Sequence, residues 1–185
     1  MPASPRNLYL IGMPGAGKST IGRALAKCLR LKFVDADHVM THRTGVSIAT
    51  IFEMEGEEKF RVRESALLAE LSAHTGMLLA TGGGVVLLKE NRDILCASGT
   101  VIYLRAKLED LCVRTQRDGK RPLLRADNPR AVLATLLEVR EPLYTEIAHL
   151  IVDTAGYPKV NKLAQEIAHR LAQNALWNTP AHPAP

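Results

Sequence analysis

The sequence predicts an α/β fold in which a parallel sheet is covered by helices on both faces. Short apolar runs alternate with helical patterns along the chain, as they do in successive βαβ units. A glycine-rich loop of the form G-x-x-x-x-G-K-S, residues 12–19, joins the first apolar run to the first helical pattern. The chain has 185 residues and is 46% hydrophobic, which suits one domain with a sizeable core.

Five short apolar runs are the predicted strands. In chain order they are Leu8–Ile11, Lys32–Asp35, Met77–Thr81, Thr100–Leu104 and Leu150–Asp153. Helical patterns begin near residues 18, 57, 90, 107, 129 and 159. The first of these helices has one apolar face, formed by Ile21, Leu25, Cys28 and Leu29. Because the strands alternate with helices, we expect them to run parallel, with their carboxyl ends at one edge of the sheet.

The whole chain, residues 1–185, is expected to form one domain. Its ends, residues 1–6 and 178–185, are rich in proline and polar residues, and we expect them to be disordered. The sequence lacks a long apolar run and a signal-like N-terminus, which indicates a soluble cytoplasmic protein with no membrane partner. The 3 cysteines are far apart, so they suggest neither a disulfide framework nor a zinc site, and we expect buried or neutral thiols.

The charge of the chain leaves the class of partner open. A formal net charge of +5 and a pI near 9.3 are compatible with binding to nucleic acid. However, only 4% of the residues are aromatic, and single-strand binding requires several exposed rings for base stacking. A basic excess around a triphosphate and an acidic substrate explains the charge equally well. We therefore expect no nucleic-acid partner.

The loop of residues 12–19 is the strongest functional signal in the sequence. Its three glycines let backbone N–H groups face phosphate oxygens, and the helix that follows adds the positive end of its dipole. Lys18 is expected to reach the β- and γ-phosphates of a nucleoside triphosphate, and the Ser19 hydroxyl to bind Mg²⁺. The residues expected to hold the nucleotide here are Gly15, Ala16, Gly17, Lys18, Ser19 and Thr20.

Two carboxylates lie at the end of the second predicted strand. Asp35 and Asp37 are two residues apart, so on an extended chain their side chains share a face. Ligands of open parallel sheets bind outside the carboxyl ends of the strands, which would bring both aspartates to the phosphate loop. One of them can then serve the metal through water, and the other can hold a hydroxyl group. Alternatively, either aspartate can simply cap the helix that follows.

Three further segments are ambiguous when each is taken alone. Gly82, Gly83 and Gly84 follow a predicted strand, where bare backbone can approach a ligand closely. Arg61 lies in a glutamate-rich helical stretch, where an exposed position on the helix surface is the simpler interpretation. Residues 114–125 carry five cations and one glycine, which suits either a solvated charged loop or a mobile loop that closes over a triphosphate.

The order of six motifs along residues 6–170 resembles the shikimate kinase family. The motifs are G-x-x-G-x-G-K-S, F-V-D-x-D, F-x-x-x-G-E-x-x-F-R-x-x-E, T-G-G-G-V-V, R-T-x(5)-R-P-L-L and V-R-x-P-L-Y. The resemblance implies an enzyme that uses ATP to phosphorylate the 3-hydroxyl of shikimate, in the pathway to chorismate and the aromatic amino acids. It also implies a sheet of five strands in the order 2-3-1-4-5, a substrate-binding helical region at about 36–64 and a mobile lid at about 114–127.

The resemblance also assigns the residues that hold shikimate. Arg61, Arg140 and the backbone of Gly83 would bind the carboxylate, because guanidinium groups match carboxylate geometry. Asp37 would hold the ring hydroxyls and orient, or accept a proton from, the attacking one. Glu64 would hold the arginines in place. The remaining substrate-binding residues would be Phe52 and Phe60, as an apolar wall, together with Gly82 and Gly84.

The nucleotide side of the site follows from the same resemblance. Asp35 would bind Mg²⁺ through water, Arg114 would stack on adenine with Pro158 opposite, and Arg121 would contact the phosphates from the lid. The catalytic residues would then be Lys18, Asp37 and Arg121. We expect a monomer whose partner is a small molecule. Three alternatives remain: a gluconate kinase, a nucleoside monophosphate kinase, and a catalytically silent phosphate-loop module that senses a ligand.

Overall fold

A central sheet of five parallel strands organises the protein. The computed structural model describes residues 6–118, 128–155 and 159–176. The strands are β1 (Asn7–Ile11), β2 (Lys32–Asp35), β3 (Met77–Ala80), β4 (Gly99–Arg105) and β5 (Leu150–Asp153). They lie in the order β2-β3-β1-β4-β5, and each neighbouring pair is parallel. The predicted fold class and strand order are therefore confirmed.

Seven α-helices connect and flank these strands in the described residues. They are α1 (Lys18–Leu29), α2 (Ala36–Thr44), α3 (Ile48–Ser72), α4 (Lys89–Ser98), α5 (Leu108–Asp118), α6 (Pro129–Ile147) and α7 (Val160–Gln173). A short 3₁₀ turn, Val85–Leu87, precedes α4. None of the helices in the described part of the chain is long and apolar enough to cross a bilayer.

The central strand β1 has helices on both of its faces. A Cβ atom on Gly22 of α1 would lie 3.0 Å from the Leu10 side chain, so Leu10 faces α1. The neighbouring Tyr9 forms a hydrogen bond of 2.6 Å with Ser98 at the end of α4. Successive side chains of a strand point to opposite faces, so α1 and α4 lie on opposite sides of the sheet. This explains why β1 is apolar and fully buried along its length.

The helices between β2 and β3 differ most from the sequence prediction. The sequence predicted one helix from about residue 57, whereas the structure has α2 and a longer α3. Only Met40 of α2 is buried, so that helix has no apolar stripe that would identify it. Gly56, with φ 80° and ψ 170°, breaks α3, and the helical pattern predicted from residue 57 corresponds to its second half.

Of the two expectations for the cysteines, burial was wrong for two of the three, whereas the raised pKa of the Cys96 thiol agrees with a neutral group. Cys28 and Cys96 are exposed, and Cys112 is half-buried. In α1 the buried face also includes Gly22 and Ala26, whose small side chains let the helix lie close to the sheet. These two positions shift the buried face away from Cys28. The apolar pattern therefore wrongly included Cys28 in the buried face of α1.

Candidate functional site

The candidate site lies at the carboxyl edge of the sheet, where three loops meet. The phosphate loop follows β1, α2 follows β2 directly, and the three glycines 82–84 follow β3. Because β2, β3 and β1 are neighbours in the sheet, these segments converge even though about 70 residues separate the first from the last. The fold therefore assembles the motifs that the sequence analysis treated separately.

The phosphate loop presents the N-terminus of α1 to its ligand side. Gly12, Gly15 and Gly17 all have positive φ angles, which other residues rarely adopt. Gly17 is the N-cap of α1, and no side chain caps the helix there. The first N–H groups of the helix can therefore bind an anion, and the helix dipole favours negative charge at this point.

Lys18 is buried at the start of α1 and bends back over the loop. Its Nζ atom donates hydrogen bonds to the carbonyl oxygens of Gly12 at 2.7 Å and of Met13 at 3.0 Å. Only 8% of the residue is exposed. These contacts hold the ammonium group within the loop whose backbone would surround the phosphates, which agrees with the role predicted for it.

Asp35 caps α2, one of the two roles expected for it, and its side chain also contacts the phosphate loop. One carboxylate oxygen accepts a hydrogen bond from the Ser19 hydroxyl, across the gap between β2 and α1. The other accepts from the His38 backbone N–H at 3.2 Å, so Asp35 is the N-cap of α2. Capping therefore orients the carboxylate and leaves its second oxygen directed at the phosphate loop.

Asp37 lies in the first turn of α2 and faces the glycine loop. A Cβ atom on Gly82 would lie 3.3 Å from Asp37 Oδ1 and would overlap the Glu64 carboxylate. Asp37 and Glu64 therefore converge on the same stretch of backbone.

Arg61 is buried within the site, so the interpretation as an exposed residue on the helix surface was wrong. Its guanidinium donates to Glu64 at 2.9 Å and to Glu57 at 2.8 Å. The Cζ atom lies 5.4 Å from the centre of the Phe60 ring and 5.9 Å from that of Phe52. The two rings are 4.5 Å apart, so they form one continuous apolar surface beside the cation.

A second buried arginine completes this cluster. Arg140 of α6 is only 3% exposed, and Glu64 is 6% exposed. Burial raises the pKa of the Glu64 carboxyl, while the neighbouring charges of Arg61 and Arg140 act in the opposite direction. Among the described residues, the buried Nε atoms of both arginines lack a hydrogen-bond partner. Unpaired buried donors are costly, so this cluster is suited to binding an anionic group.

The three glycines after β3 accommodate the protein's own side chains as well as any ligand. A Cβ on Gly82 would overlap Glu64, and one on Gly84 would overlap the Arg61 guanidinium. A Cβ on Gly83 would lie 2.8 Å from Pro14 Cδ in the phosphate loop. Each glycine thus allows a different part of the site to approach, which the sequence analysis attributed to a ligand alone.

Arg114 borders a cavity at the far end of the phosphate loop. Its Nη1 atom lies 3.4 Å from the Gly15 carbonyl oxygen and 3.3 Å from Thr154 Oγ1. The cavity has a volume of about 250 Å³ and is lined by Gly17, Thr20, Ile21, Arg114, Thr154, Val160 and Leu163. Thr154 was not identified from the sequence, because a single threonine in a loop carries no distinctive pattern.

Some predicted residues lie outside the described part of the chain. Residues 114–118 of the predicted lid belong to α5, and residues 119–127, with Arg121, are not among those described. Pro158 also lies outside the described residues. For the other predicted residues, the fold brings the nucleotide candidates to one side of the glycine loop and the substrate candidates to the other.

The fold and the site define the class of P-loop kinases: a phosphate loop between β1 and α1, in a parallel sheet of order 2-3-1-4-5, beside a separate anion-binding cluster. The family model for shikimate kinase matches residues 14–173, and the chain belongs to the shikimate kinase family. Members of this family are enzymes that use ATP. The family and the function predicted from the sequence are confirmed.

Individual relatives agree with this assignment. A shikimate kinase from Ralstonia nicotianae is 47% identical over 182 residues, which cover 98% of this chain and 95% of the relative. The structure of the Acinetobacter baumannii shikimate kinase in complex with shikimate has a TM-score of 0.89 and 44% identity, over 92% of this chain and 95% of that one. A gluconokinase from Sinorhizobium meliloti, with a TM-score of 0.60, covers 92% of this chain and 95% of its own, but at 20% identity it shows only a shared fold.

Proposed function

We propose that the protein transfers the γ-phosphoryl group of ATP to the 3-hydroxyl of shikimate, giving shikimate 3-phosphate and ADP. The observation that carries the proposal is the buried pair Arg61 and Arg140, whose Nε atoms have no partner among the described residues and whose charges act on the Glu64 carboxyl, as does that of Asp37. Shikimate carries one carboxylate and several hydroxyls, so it needs cationic donors and an anionic acceptor close together. The shikimate bound in the Acinetobacter baumannii relative supports this choice of substrate.

In this proposal the arginine cluster sets the orientation of the substrate. Arg61, Arg140 and the Gly83 backbone bind the carboxylate, and the rings of Phe52 and Phe60 pack against the apolar face of the substrate. Bare backbone at Gly82 and Gly84 leaves room for the ring beside Asp37. Glu64 neutralises part of the cationic charge, which keeps Arg61 in place when no substrate is bound.

Asp37 is the proposed proton acceptor for the attacking hydroxyl. The 3-hydroxyl oxygen forms a bond to the γ-phosphorus while the bond between that phosphorus and the β,γ-bridging oxygen breaks. The hydroxyl proton passes to the Asp37 carboxylate, and the electron pair of the broken bond stays on the bridging oxygen, which becomes a terminal oxygen of the ADP β-phosphate. Lys18 stabilises the charge that develops on the phosphate oxygens, a role in which we also propose Arg121.

The residues around Ser19 fit a magnesium ion. The Ser19 hydroxyl and the Asp35 carboxylate are in hydrogen-bond contact at the phosphate loop. Both supply oxygen ligands of the kind that Mg²⁺ prefers. We propose that Ser19 binds the ion directly and that Asp35 binds it through water. When bound, Mg²⁺ neutralises charge on the triphosphate oxygens.

We propose the cavity beside Arg114 as the adenine site, with Pro158 on the opposite face of the base. The remaining expectations are also part of this proposal: one domain, a substrate-binding region at about 36–64, a lid at about 114–127, and a cytoplasmic monomer.

A coupled assay of ADP release tests the proposed function. The purified protein is supplied with ATP and Mg²⁺ and, in separate reactions, with shikimate, gluconate or AMP. We expect turnover with shikimate only, and a product phosphorylated at the 3-hydroxyl by NMR. Preferential turnover of gluconate or AMP would contradict the assignment, and binding of shikimate without turnover would indicate a silent sensor.

Removing either buried arginine is expected to weaken shikimate binding far more than ATP binding. Arg61→Ala and Arg140→Ala each delete charge-assisted hydrogen bonds to the carboxylate, which should cost on the order of 2 kcal/mol in affinity. Calorimetric titration of each variant with both ligands measures the two effects. Arg63→Ala is the matched control, because Arg63 lies on the same helix in an exposed ion pair with Glu55. Equal losses for shikimate and ATP would mean that the buried arginines are structural.

Asp35→Asn is expected to raise the Mg²⁺ concentration needed for half-maximal rate, with little change in shikimate affinity. Asparagine caps helices as well as aspartate does, so the His38 contact and α2 should persist while the charge is lost. Loss of a carboxylate that orients metal-bound water typically costs about 10-fold or more in metal affinity. A Mg²⁺ titration of the steady-state rate checks the expectation, and an unchanged midpoint would restrict Asp35 to helix capping.

A further inference from the structure

Tyr144 is a buried residue at the junction of the two halves of the site. It lies on α6 one turn after Arg140 and is fully buried. Its ring stacks on that of Tyr103 in β4, with 5.0 Å between the ring centres. Tyr144 belongs to the V-R-x-P-L-Y motif, but the assignments so far give it no role.

The Tyr144 hydroxyl bonds to the glycine loop. It donates to the Gly83 carbonyl oxygen at 2.5 Å and lies 3.9 Å from the Met13 sulfur in the phosphate loop. The backbone of Gly83 packs against Pro14, which is also in the phosphate loop. The Gly83 peptide is therefore held between α6 and the loop that would carry the triphosphate.

The same oxygen also interacts with Arg140. Arg140 lies one turn earlier on α6, and its positive charge lowers the pKa of the Tyr144 hydroxyl, against the larger effect of burial. Burial raises the pKa of Tyr144 well above its ordinary value, so the hydroxyl keeps its proton and remains a donor to Gly83. The protonated hydroxyl thus orients the Gly83 carbonyl.

The geometry of the peptide bond extends this effect to Gly84. The C=O of Gly83 and the N–H of Gly84 belong to one planar trans peptide and point in opposite directions. Fixing the Gly83 carbonyl towards Tyr144 therefore fixes the Gly84 N–H away from it. Gly84 itself lies against the Arg61 guanidinium. The orientation of this peptide thus depends on Tyr144 at the place where the two arginines would receive a carboxylate.

We propose that Tyr144 is a positioning residue for the substrate carboxylate, acting through the Gly83–Gly84 peptide. This inference rests on the proposed function. It predicts that loss of the hydroxyl affects shikimate selectively, because the ring and its stacking partner can remain in place. A role in packing alone would instead affect both substrates equally, or only the stability of the fold.

The test compares Tyr144→Phe with the matched control Tyr103→Phe. The two rings stack on each other and are both buried, but in the described part of the chain the Tyr103 hydroxyl has no hydrogen-bond partner. For Tyr144→Phe we expect the KM and the Kd for shikimate to rise about 10-fold, a typical effect of losing a hydrogen bond in a charged site. The KM for ATP should stay within about twofold, and kcat should change less than the KM for shikimate. Tyr103→Phe should leave all four values unchanged.

Two further measurements separate positioning from packing. The uncharged methyl ester of shikimate cannot use the carboxylate site fully, so the loss of affinity caused by Tyr144→Phe should largely disappear with the ester. Substitution of Tyr144 by 4-aminophenylalanine keeps a donor at the same place on the ring, and it should restore the KM for shikimate towards that of the wild type. Thermal unfolding of each variant establishes that it is folded at the assay temperature.

Several results would overturn the inference. They are an unchanged KM for shikimate in Tyr144→Phe, an equal loss of affinity for shikimate and its ester, or the same loss in Tyr103→Phe. If Tyr144→Phe does not fold, a folded 4-aminophenylalanine variant with a KM unlike that of the wild type would overturn it as well. A wild-type protein that does not phosphorylate shikimate would instead refute the proposed function, which distinguishes the two failures.

Discussion

Lys18→Ala is expected to reduce turnover by about two orders of magnitude or more while the protein remains folded, because a preorganised cation at a phosphoryl transition state contributes about 3 kcal/mol. Its ammonium group is held by the Gly12 and Met13 carbonyl oxygens, so it is positioned before any nucleotide binds. Steady-state rates at saturating ATP and shikimate, with unfolding curves for both proteins, measure the effect.

A control variant separates charge at the site from general charge effects. Lys27→Ala removes a lysine from the last turn of the same helix, on its exposed side. We expect near wild-type turnover in Lys27→Ala. If folded Lys18→Ala turned over at the wild-type rate, Lys18 would have no part in the mechanism, and the phosphate loop would bind nucleotide through its backbone alone.

Asp37→Asn is expected to lose about 100-fold or more in turnover, within the range that general bases contribute. Asparagine keeps the shape and one acceptor oxygen, but it can neither take the proton nor carry the charge that orients the attacking hydroxyl. Shikimate binding without nucleotide should weaken much less than turnover. We expect the Mg²⁺ concentration needed for half-maximal rate to be unchanged in Asp37→Asn. In Asp35→Asn we expect that concentration to rise and shikimate affinity to change little.

The matched control for Asp37→Asn is Asp110→Asn. Asp110 lies in the first turn of α5, so both substitutions remove a carboxylate from the positive end of a helix. Any loss of turnover through helix stability should then appear in both variants. If Asp37→Asn required more Mg²⁺ and bound shikimate normally, while Asp35→Asn failed to bind shikimate, the roles of the two aspartates would be reversed.

The parts of the fold that the sequence predicted have strong local signals. Strands buried on both faces read as short apolar runs, and all five were located to within one or two residues at each end. Periodicity did not locate helix α2, because Met40 is its only buried residue, and only the family resemblance implied a helical region at about 36–64. The first residue of α2 can be predicted from the sequence only if Asp35 is interpreted as its N-cap. The sequence alone did not decide between that role and metal binding for Asp35.

The site illustrates a different limit of sequence reasoning. The phosphate loop is a contiguous motif whose chemistry follows from its residue order. By contrast, Arg61 packs against the glycine loop, which is distant in sequence, and in isolation its neighbours Glu57 and Glu64 suggest an exposed helix. Only the order of several motifs, through the family resemblance, predicted that Arg61 and Arg140 would act together. The hydroxyl of Tyr144 was not predicted by either route.

The break at Gly56 limits which residues can occupy this position in the proposed substrate region, because its backbone conformation is one that L-amino acids rarely adopt. Phe52 and Phe60 lie on opposite sides of the break, and a continuous helix would separate their Cα atoms by about 12 Å along its axis. The change of direction lets their rings meet at 4.5 Å. Although no neighbouring atom would obstruct a side chain at Gly56, its φ of 80° with ψ of 170° is unfavourable for L-amino acids. A D-amino acid, introduced by chemical synthesis, has mirror-image backbone preferences and can adopt these angles. At this position, therefore, the chirality of the residue rather than its size decides whether the Phe52 and Phe60 rings stay paired.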